Sequence, residues 1–217
     1  MLVQDVMTRN VVTVSKGTSI GEAQRIMKEH NFRRLPVVYR GKLVGLVAEP
    51  RLERVKPKTT TPLLWQITYL LSHTTVGDVM RKKVVTVKPT DTVELAVAKA
   101  QEAKVGVLVV INEGKIVGIC TTNDFFYKIV NPTLGLGESG SRVFVAGGGD
   151  GKSTQKIIAK VNQMGIETKV LWAIPSPEGG KDLTIHLEAE DATPVIEELK
   201  KLGYEASIVI RSSSNKK

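Results

Sequence analysis

One cysteine, Cys120, and three histidines, His30, His73 and His186, are the only thiol and imidazole side chains in 217 residues. A single thiol cannot form a disulfide within the chain, and no Cys cluster exists to hold a metal; Cys120 lies in an apolar strand and reads as core. The histidines are far apart, each in a segment that explains it as helix or strand surface, so neither a His-centred triad nor a zinc site is expected. Aromatic residues make up 5% of the chain. None interleaves with the basic bunches at Arg51 to Lys58, Arg81 to Lys83 and Lys216-Lys217, so the base-stacking platform of a single-strand binder is missing. No twenty-residue apolar run occurs, and the chain opens on a polar amphipathic stretch rather than a basic-then-apolar leader. We therefore expect no membrane association and a cytoplasmic protein. The formal net charge of +9 is scattered and reads as a solvated face, with nucleic acid kept only as an alternative partner.

What is present is ordinary in amount, 41% hydrophobic and 24% charged residues, enough to bury a core, but unusual in arrangement. Val3-Gln4-Asp5-Val6-Met7 recurs as Val76-Gly77-Asp78-Val79-Met80, Val11-Val12-Thr13-Val14 as Val84-Val85-Thr86-Val87, and Gly41-Lys42-Leu43-Val44-Gly45 as Gly114-Lys115-Ile116-Val117-Gly118. Each pair is 73 residues apart without a gap. A duplicated unit of this size does not bury its apolar face alone, so the copies are expected to pack on each other about a pseudo-twofold axis.

In the first copy, Val11 to Val14 reads as a strand and Ser19 as the start of a helix with Ile20, Ala23, Ile26 and Met27 facing the core and Asn31 at its C-terminus. Strands Arg34 to Tyr39 and Leu43 to Val47 follow, joined by a hairpin at Arg40-Gly41, and then a helix. In the second copy the close is chemically suggestive. Ile116 to Cys120 reads as a buried strand, and Asn123-Asp124 before Phe125 to Val130 as a helix start with Asn or Asp at its cap. Thr121 and Asp124 stand three residues apart, beside the free N–H groups of a helix N-terminus. Asp124 could accept hydrogen bonds from two vicinal ribose hydroxyls while Thr121 faces a phosphate; alternatively both residues only cap the helix.

Between the copies, Lys56 to Thr61 is a polar connector and Pro62 to Leu71 an apolar helix with Pro near its start, apolar on more than one face. After Asn131-Pro132 a Gly-rich stretch, 132–140, reads as a linker. Beyond it come a strand (Arg142 to Ala146), a helix (Ser153 to Met164), strands Glu167 to Ala173 and Leu183 to Leu187, a helix (Pro194 to Leu202) and a last strand (Ala206 to Ile210). This βαββαβ order predicts a four-stranded antiparallel sheet with two helices on one face.

The repeated D-V-M opening, the V-V-T-V strand, Arg34-Leu35-Pro36-Val37-Val38 and the closing Gly118-Ile119-Cys120-Thr121-Thr122-Asn123-Asp124 resemble a tandem pair of CBS motifs, a Bateman module, over residues 1 to about 131. The βαββαβ segment resembles an ACT domain over 141–211, and the whole order is similar to the AcuB-type proteins associated with acetoin utilization. The resemblance implies an α+β fold of two CBS motifs (about 1–55 and 74–131, joined by the apolar helix 62–72), a linker at 132–140, a ferredoxin-like ACT-like domain at 141–211, and a disordered tail at 212–217. It implies an allosteric regulatory protein rather than an enzyme, with no catalytic residues, no metal and no required cofactor. The expected ligand is an adenosine-containing nucleotide (AMP, ADP or ATP) or S-adenosylmethionine. The module is expected to pair as a homodimer and to act through the ACT-like domain or an unnamed partner protein.

By the family's geometry the close of one motif works with the lead-in and the x-R-x-P segment of the other. The implied nucleotide-binding residues are therefore Asn10, Val12, Arg33, Arg34 and Pro36 from the first copy with Gly118, Ile119, Thr121, Asn123 and Asp124 from the second. Arg33 and Arg34 fall where a phosphate would sit, and arginine suits it through forked, charge-assisted hydrogen bonds. At the matching close of the first copy stand Ala48, Pro50 and Arg51, facing Gly106 and Val107. One good nucleotide site per chain is expected, on the side that keeps the carboxylate.

A competing motif is Ala146 to Ser153, a loosened phosphate loop between a strand and a helix, which would make the protein an NTPase. Only about 65 residues follow it, too few for a nucleotide-hydrolase sheet of usual domain size, and no apolar strand ends in a magnesium-binding Asp.

Overall fold

The computed structural model describes residues 1–55 and 63–209. The connector Lys56 to Thr61, the Pro62 helix start, the strand end at Ile210 and the tail 212–217 lie outside the described residues. The chain divides into two compact units, the first running from Met1 to Phe126 and the second from Tyr127 onward.

The first unit is the repeat made solid. Its first copy runs α1 (Val3–Val6), β1 (Val14–Ser15), α2 (Ile20–His30), β2 (Arg34–Tyr39), β3 (Lys42–Ala48) and α3 (Glu49–Glu53). After α4 (Leu64–His73), the second copy runs α5 (Val76–Val79), β4 (Thr86–Val87), α6 (Val93–Glu102), β5 (Val107–Asn112), β6 (Lys115–Thr121) and α7 (Thr122–Phe125). Each copy makes a three-stranded sheet, β1-β2-β3 and β4-β5-β6, with the first pair parallel and the second antiparallel. The expected strand at Val11 to Val14 is shorter than its β-branched pattern suggests: only Val14 and Ser15 pair with β2, while Val11 and Val12 line a cleft.

Local signals explain the shared elements. The Ser19 hydroxyl accepts from Glu22 N–H, and Asn31 ends α2 in the left-handed region, which Asn tolerates. Arg40 and Gly41 both take positive φ, as a two-residue hairpin needs. Ile20, Ala23 and Met27 are buried with Leu35, Val37, Val47 and Leu52, and Ile26 is partly buried at the margin. α4 is amphipathic only in part: Leu71 packs against this core while Leu64, Trp65 and Tyr69 are exposed.

The copies exchange their lead-in segments. Thr8 bridges Ile119 on β6, and its symmetry mate Arg81 bridges Leu46 on β3. Leu2 bridges Thr92, and Thr75 bridges Ser19 in the same way. Gly118 and Gly45 are needed for this crossing: a Cβ at Gly118 would lie 2.4 Å from Met7 Sδ, and one at Gly45 would lie 2.4 Å from Met80 Sδ. Leu46 then clusters with Val107 and Val109 of the other copy. The pseudo-twofold packing expected from the repeat is therefore present.

Residues from α7 continue through a π-helical turn, Phe126–Val130, and α8 (Asn131–Thr133). The second unit then has β7 (Ser141–Val145), α9 (Gly151–Gln163), β8 (Thr168–Pro175), β9 (Lys181–Leu187), α10 (Thr193–Lys201) and β10 (Ala206–Ile208). The sheet order is β10-β7-β9-β8, antiparallel throughout, as the βαββαβ order predicts. Alternate residues Val143, Val145, Leu183, Ile185 and Leu187 meet Ile157 and Val161 of α9 and Val195 and Leu199 of α10, so both helices cover one face.

On the other face, part of the expected linker at 132–140 is tied to the sheet. The Arg142 guanidinium donates to the carbonyls of Leu134 and Gly135, and His186 Nε2 donates to the Ser139 carbonyl at 2.9 Å. Gly135 has no room for a side chain, since its Cβ would sit 2.4 Å from His186 Nδ1. This corrects the reading of His186 as a surface residue: it lies on an inner strand under that segment and is fully buried, while His30 and His73 are exposed.

Candidate ligand cleft between the repeats

The exchanged lead-ins place chemistry from both copies around one cleft of about 620 Å³, within the range of small-molecule sites. Asn10 adopts positive φ and turns the chain away from β6 after Thr8 has paired with Ile119. Thr8, Asn10 and Val12 thereby form one wall. The start of β2 supplies Arg33, Arg34 and Pro36, and the end of β6 with the first turn of α7 supplies Ile119, Thr121, Asn123 and Asp124.

At the centre of this wall stands Asp124, only 8% exposed. Its Oδ2 accepts from the Thr121 amide and the Thr121 hydroxyl, both at 2.8 Å, and its Oδ1 accepts from the Thr8 hydroxyl at 2.7 Å. The expected cap assignment therefore shifts by a turn. Thr121 is the N-cap, and Asp124 is the third helical residue, reaching back in a capping box. Capping and lining the cleft are not alternatives here, because the same carboxylate does both.

Of the residues singled out from sequence, all but Gly118 line the cleft. Gly118 sits behind it, where its missing side chain admits Met7. The two arginines differ. Arg33 is highly exposed, with its Nε 4.0 Å from Glu49, too loose a pair to fix it. Arg34 lines this cleft and also a second one on the far side of the same strand start. Sequence reasoning missed Thr8, Val11, Asn31, Phe32 and Thr122, which also line the cleft. The signal for Thr8 lies in its place in the lead-in, which the family's geometry sets against the close of the other motif.

The phosphate-loop candidate is occupied by its own acids. Asp150 caps α9 by accepting from Lys152 and Ser153 N–H, and the Gly147 amide donates to Asp182 at 2.9 Å. Those amides would have to cradle a phosphate in an NTPase, and carboxylates already hold them. Among the described residues no His, Cys, Asp and Glu cluster is placed to hold a metal, and no helix is long and apolar enough to cross a membrane.

Two β-α-β-β-α units related by a twofold, with a ligand-sized cleft built from the close of one and the lead-in of the other, define a tandem-repeat ligand-binding fold. The CBS domain family matches residues 3–52 and 76–131, and this chain belongs to the CBS-domain proteins. The CBS domain-containing protein YhcV of Bacillus subtilis is 30% identical over 122 residues, which is 56% of this chain and 81% of that one. An inosine-5'-monophosphate dehydrogenase from Korarchaeum cryptofilum is 34% identical over 133 residues, 61% of this chain. The chain spans about a quarter of the length of that enzyme and of the other first curated relatives it matches. Among solved structures, an acetoin utilization protein (AcuB) from Vibrio cholerae aligns with a TM-score of 0.51 at 26% identity, covering 60% of this chain and 91% of that one. The CBS domain pair of protein MJ0100, in complex with 5-methylthioadenosine and S-adenosyl-L-methionine, aligns with a TM-score of 0.50 at 25% identity, covering 60% and 97%.

Proposed function

We propose that this chain is a regulatory sensor without catalysis of its own, binding an adenosine-containing nucleotide in the cleft of Thr8, Arg34, Thr121 and Asp124. The observation that carries the reading is the convergence of a buried carboxylate, a hydroxyl pair and Arg33 and Arg34 from opposite repeats on one cleft of nucleotide size. Vicinal ribose hydroxyls would compete with the Thr8 hydroxyl for Asp124 Oδ1, the apolar wall of Val12, Pro36 and Ile119 would take the base, and the arginines would meet phosphate or another polar tail. The adenosine ligands held by the CBS pair of MJ0100 support this class, which spans AMP, ADP, ATP and S-adenosylmethionine.

The second unit serves as the output in this reading. Its βαββαβ topology suits an ACT-like domain. Exposed Leu64, Trp65 and Tyr69 on α4 suit a homodimer contact, and the protein acts in the cytoplasm on a partner protein. Binding regulates only if the ligand favours one arrangement of the repeats over another.

The test is a thermal-shift panel of adenine compounds on the wild type and Asp124→Ala, checked by calorimetry. A ligand at a hundred times its Kd stabilises by about 2.7 kcal/mol, a rise of roughly 5 to 10 °C for a chain of this size. A rise that Asp124→Ala abolishes supports the site; no shift with any adenine compound removes the sensor reading.

A further inference from the structure

The second cleft is the symmetry mate of the first, rebuilt in charge. Four polar residues of the first cleft have a cation 73 positions away, while Arg33, Arg34, Thr121 and Asn123 are matched by Gly106, Val107, Ala48 and Pro50. Thr8 is matched by Arg81, Asn10 by Lys83, Asn31 by Lys104, and Asp124 by Arg51. Two amides, a hydroxyl and a carboxylate have become four cations, and Arg34 lines this cleft as a fifth. The backbone frame is retained: Arg81 and Leu46 exchange N–H···O bonds of 2.8 and 2.9 Å, as Thr8 and Ile119 do opposite. Arg51 is held over the cleft by its Nη1, which donates to the Val79 carbonyl at 3.1 Å.

We infer that this cleft, of about 300 Å³, binds a polyphosphate anion, either free or as the phosphate tail of a nucleotide. No carboxylate lines it, and among the described residues none of the five cations is ion-paired. Five like charges around so small a space repel one another until an anion of several charges enters. Arginine supplies forked donors to phosphate oxygens and lysine a mobile point charge, the mixture a flexible chain of phosphates can use. A ribose would find neither a carboxylate nor a hydroxyl here, and the remaining lining, Leu46, Ala48, Gly106 and valines, offers no ring on which to stack a base. A nucleic-acid strand needs a longer groove than this cleft provides. The inference does not rest on the adenosine reading of the first cleft.

The experiment is calorimetric titration of the full chain with inorganic triphosphate at low and moderate salt, comparing the wild type with Arg51→Ala, Lys83→Ala and the double variant. Both side chains are exposed, and a melting curve verifies that each variant folds. The expected result is one triphosphate per chain, weakened by salt and weakened about tenfold or more by each substitution. Adding ATP to the Asp124→Ala background separates the sources. Tighter ATP than triphosphate binding assigns the anion as a nucleotide tail, and equal affinity assigns free polyphosphate. No triphosphate binding by the wild type at low salt, or binding that the double variant leaves unchanged, overturns the inference. An oligonucleotide that displaces triphosphate and binds in proportion to its length overturns it in favour of a nucleic-acid surface.

Discussion

The Thr8 hydroxyl donates a 2.7 Å hydrogen bond to Asp124 Oδ1 across 116 residues of sequence, joining the lead-in of one repeat to the close of the other. A largely buried carboxylate makes this a charge-assisted bond, so Thr8→Val should cost about 1.5 to 3 kcal/mol in denaturant unfolding. In a double-mutant cycle with Asp124→Ala the two effects should couple, because either substitution removes the same contact. Additive losses would show that the bond contributes nothing to holding the repeats together.

The glycine behind the cleft offers a steric test. A Cβ at Gly118 would fall 2.4 Å from Met7 Sδ, 2.9 Å from its Cγ and 3.2 Å from its Cβ, so moving the side-chain tip alone does not relieve it. Gly118→Ala should destabilise the chain by about 1 to 3 kcal/mol, the usual range for overpacking. Met7→Ala in the same chain should restore much of the loss, and thermal melting of the three variants measures this.

Acid should loosen the contact between α9 and α10. Glu198 accepts hydrogen bonds from Lys160 and Lys201, both at 2.6 Å, and these hold its carboxyl down to about 2. A carboxyl depressed in the folded state stabilises the fold above its unfolded value, near 4.5, and that stability is lost as pH falls from there toward 2. The melting temperature of Glu198→Gln should therefore lie below that of the wild type at neutral pH, and the gap should close across this window. A gap that persists at the acid end would mean the glutamate acts through packing.

The loop before α9 should behave as structure and not as a catalyst. Asp150→Ala removes the carboxylate that caps Lys152 and Ser153 N–H, and it should lower the melting temperature. Magnesium-dependent phosphate release from ATP should stay at the buffer level in the wild type and in Lys152→Ala alike. Turnover in the wild type that disappears in Lys152→Ala would revive the phosphate-loop reading.

Much of the first unit was legible because its signals are local and occur twice. Asn31 at the end of α2, Arg40-Gly41 in the hairpin and the apolar spacing of Ile20, Ala23 and Met27 act within a few residues of chain. The repeat itself announced the twofold. What escaped was non-local. Thr8 carries no motif of its own and matters only because β6 lies beside it. His186 looks like any strand residue until Ser139 and Gly135 come to rest on it. The glycines of 132–140 read as freedom, whereas Gly135 is there because nothing larger fits against the imidazole. The charge of the second cleft was hidden for a related reason: Arg51, Arg81, Lys83 and Lys104 are scattered along the chain and converge only when the lead-ins cross.

The crossing of the lead-ins has a consequence for symmetry. Two unlinked copies of one repeat could clasp in the same manner, each lending its first residues to the other, but both clefts would then be identical, since every substitution in one would appear in both. Writing the two copies into a single chain removes that constraint. One cleft can keep threonine, asparagine and aspartate while its twin turns to arginine and lysine, and a shared side chain such as Arg34 then lies within reach of whatever each of them holds.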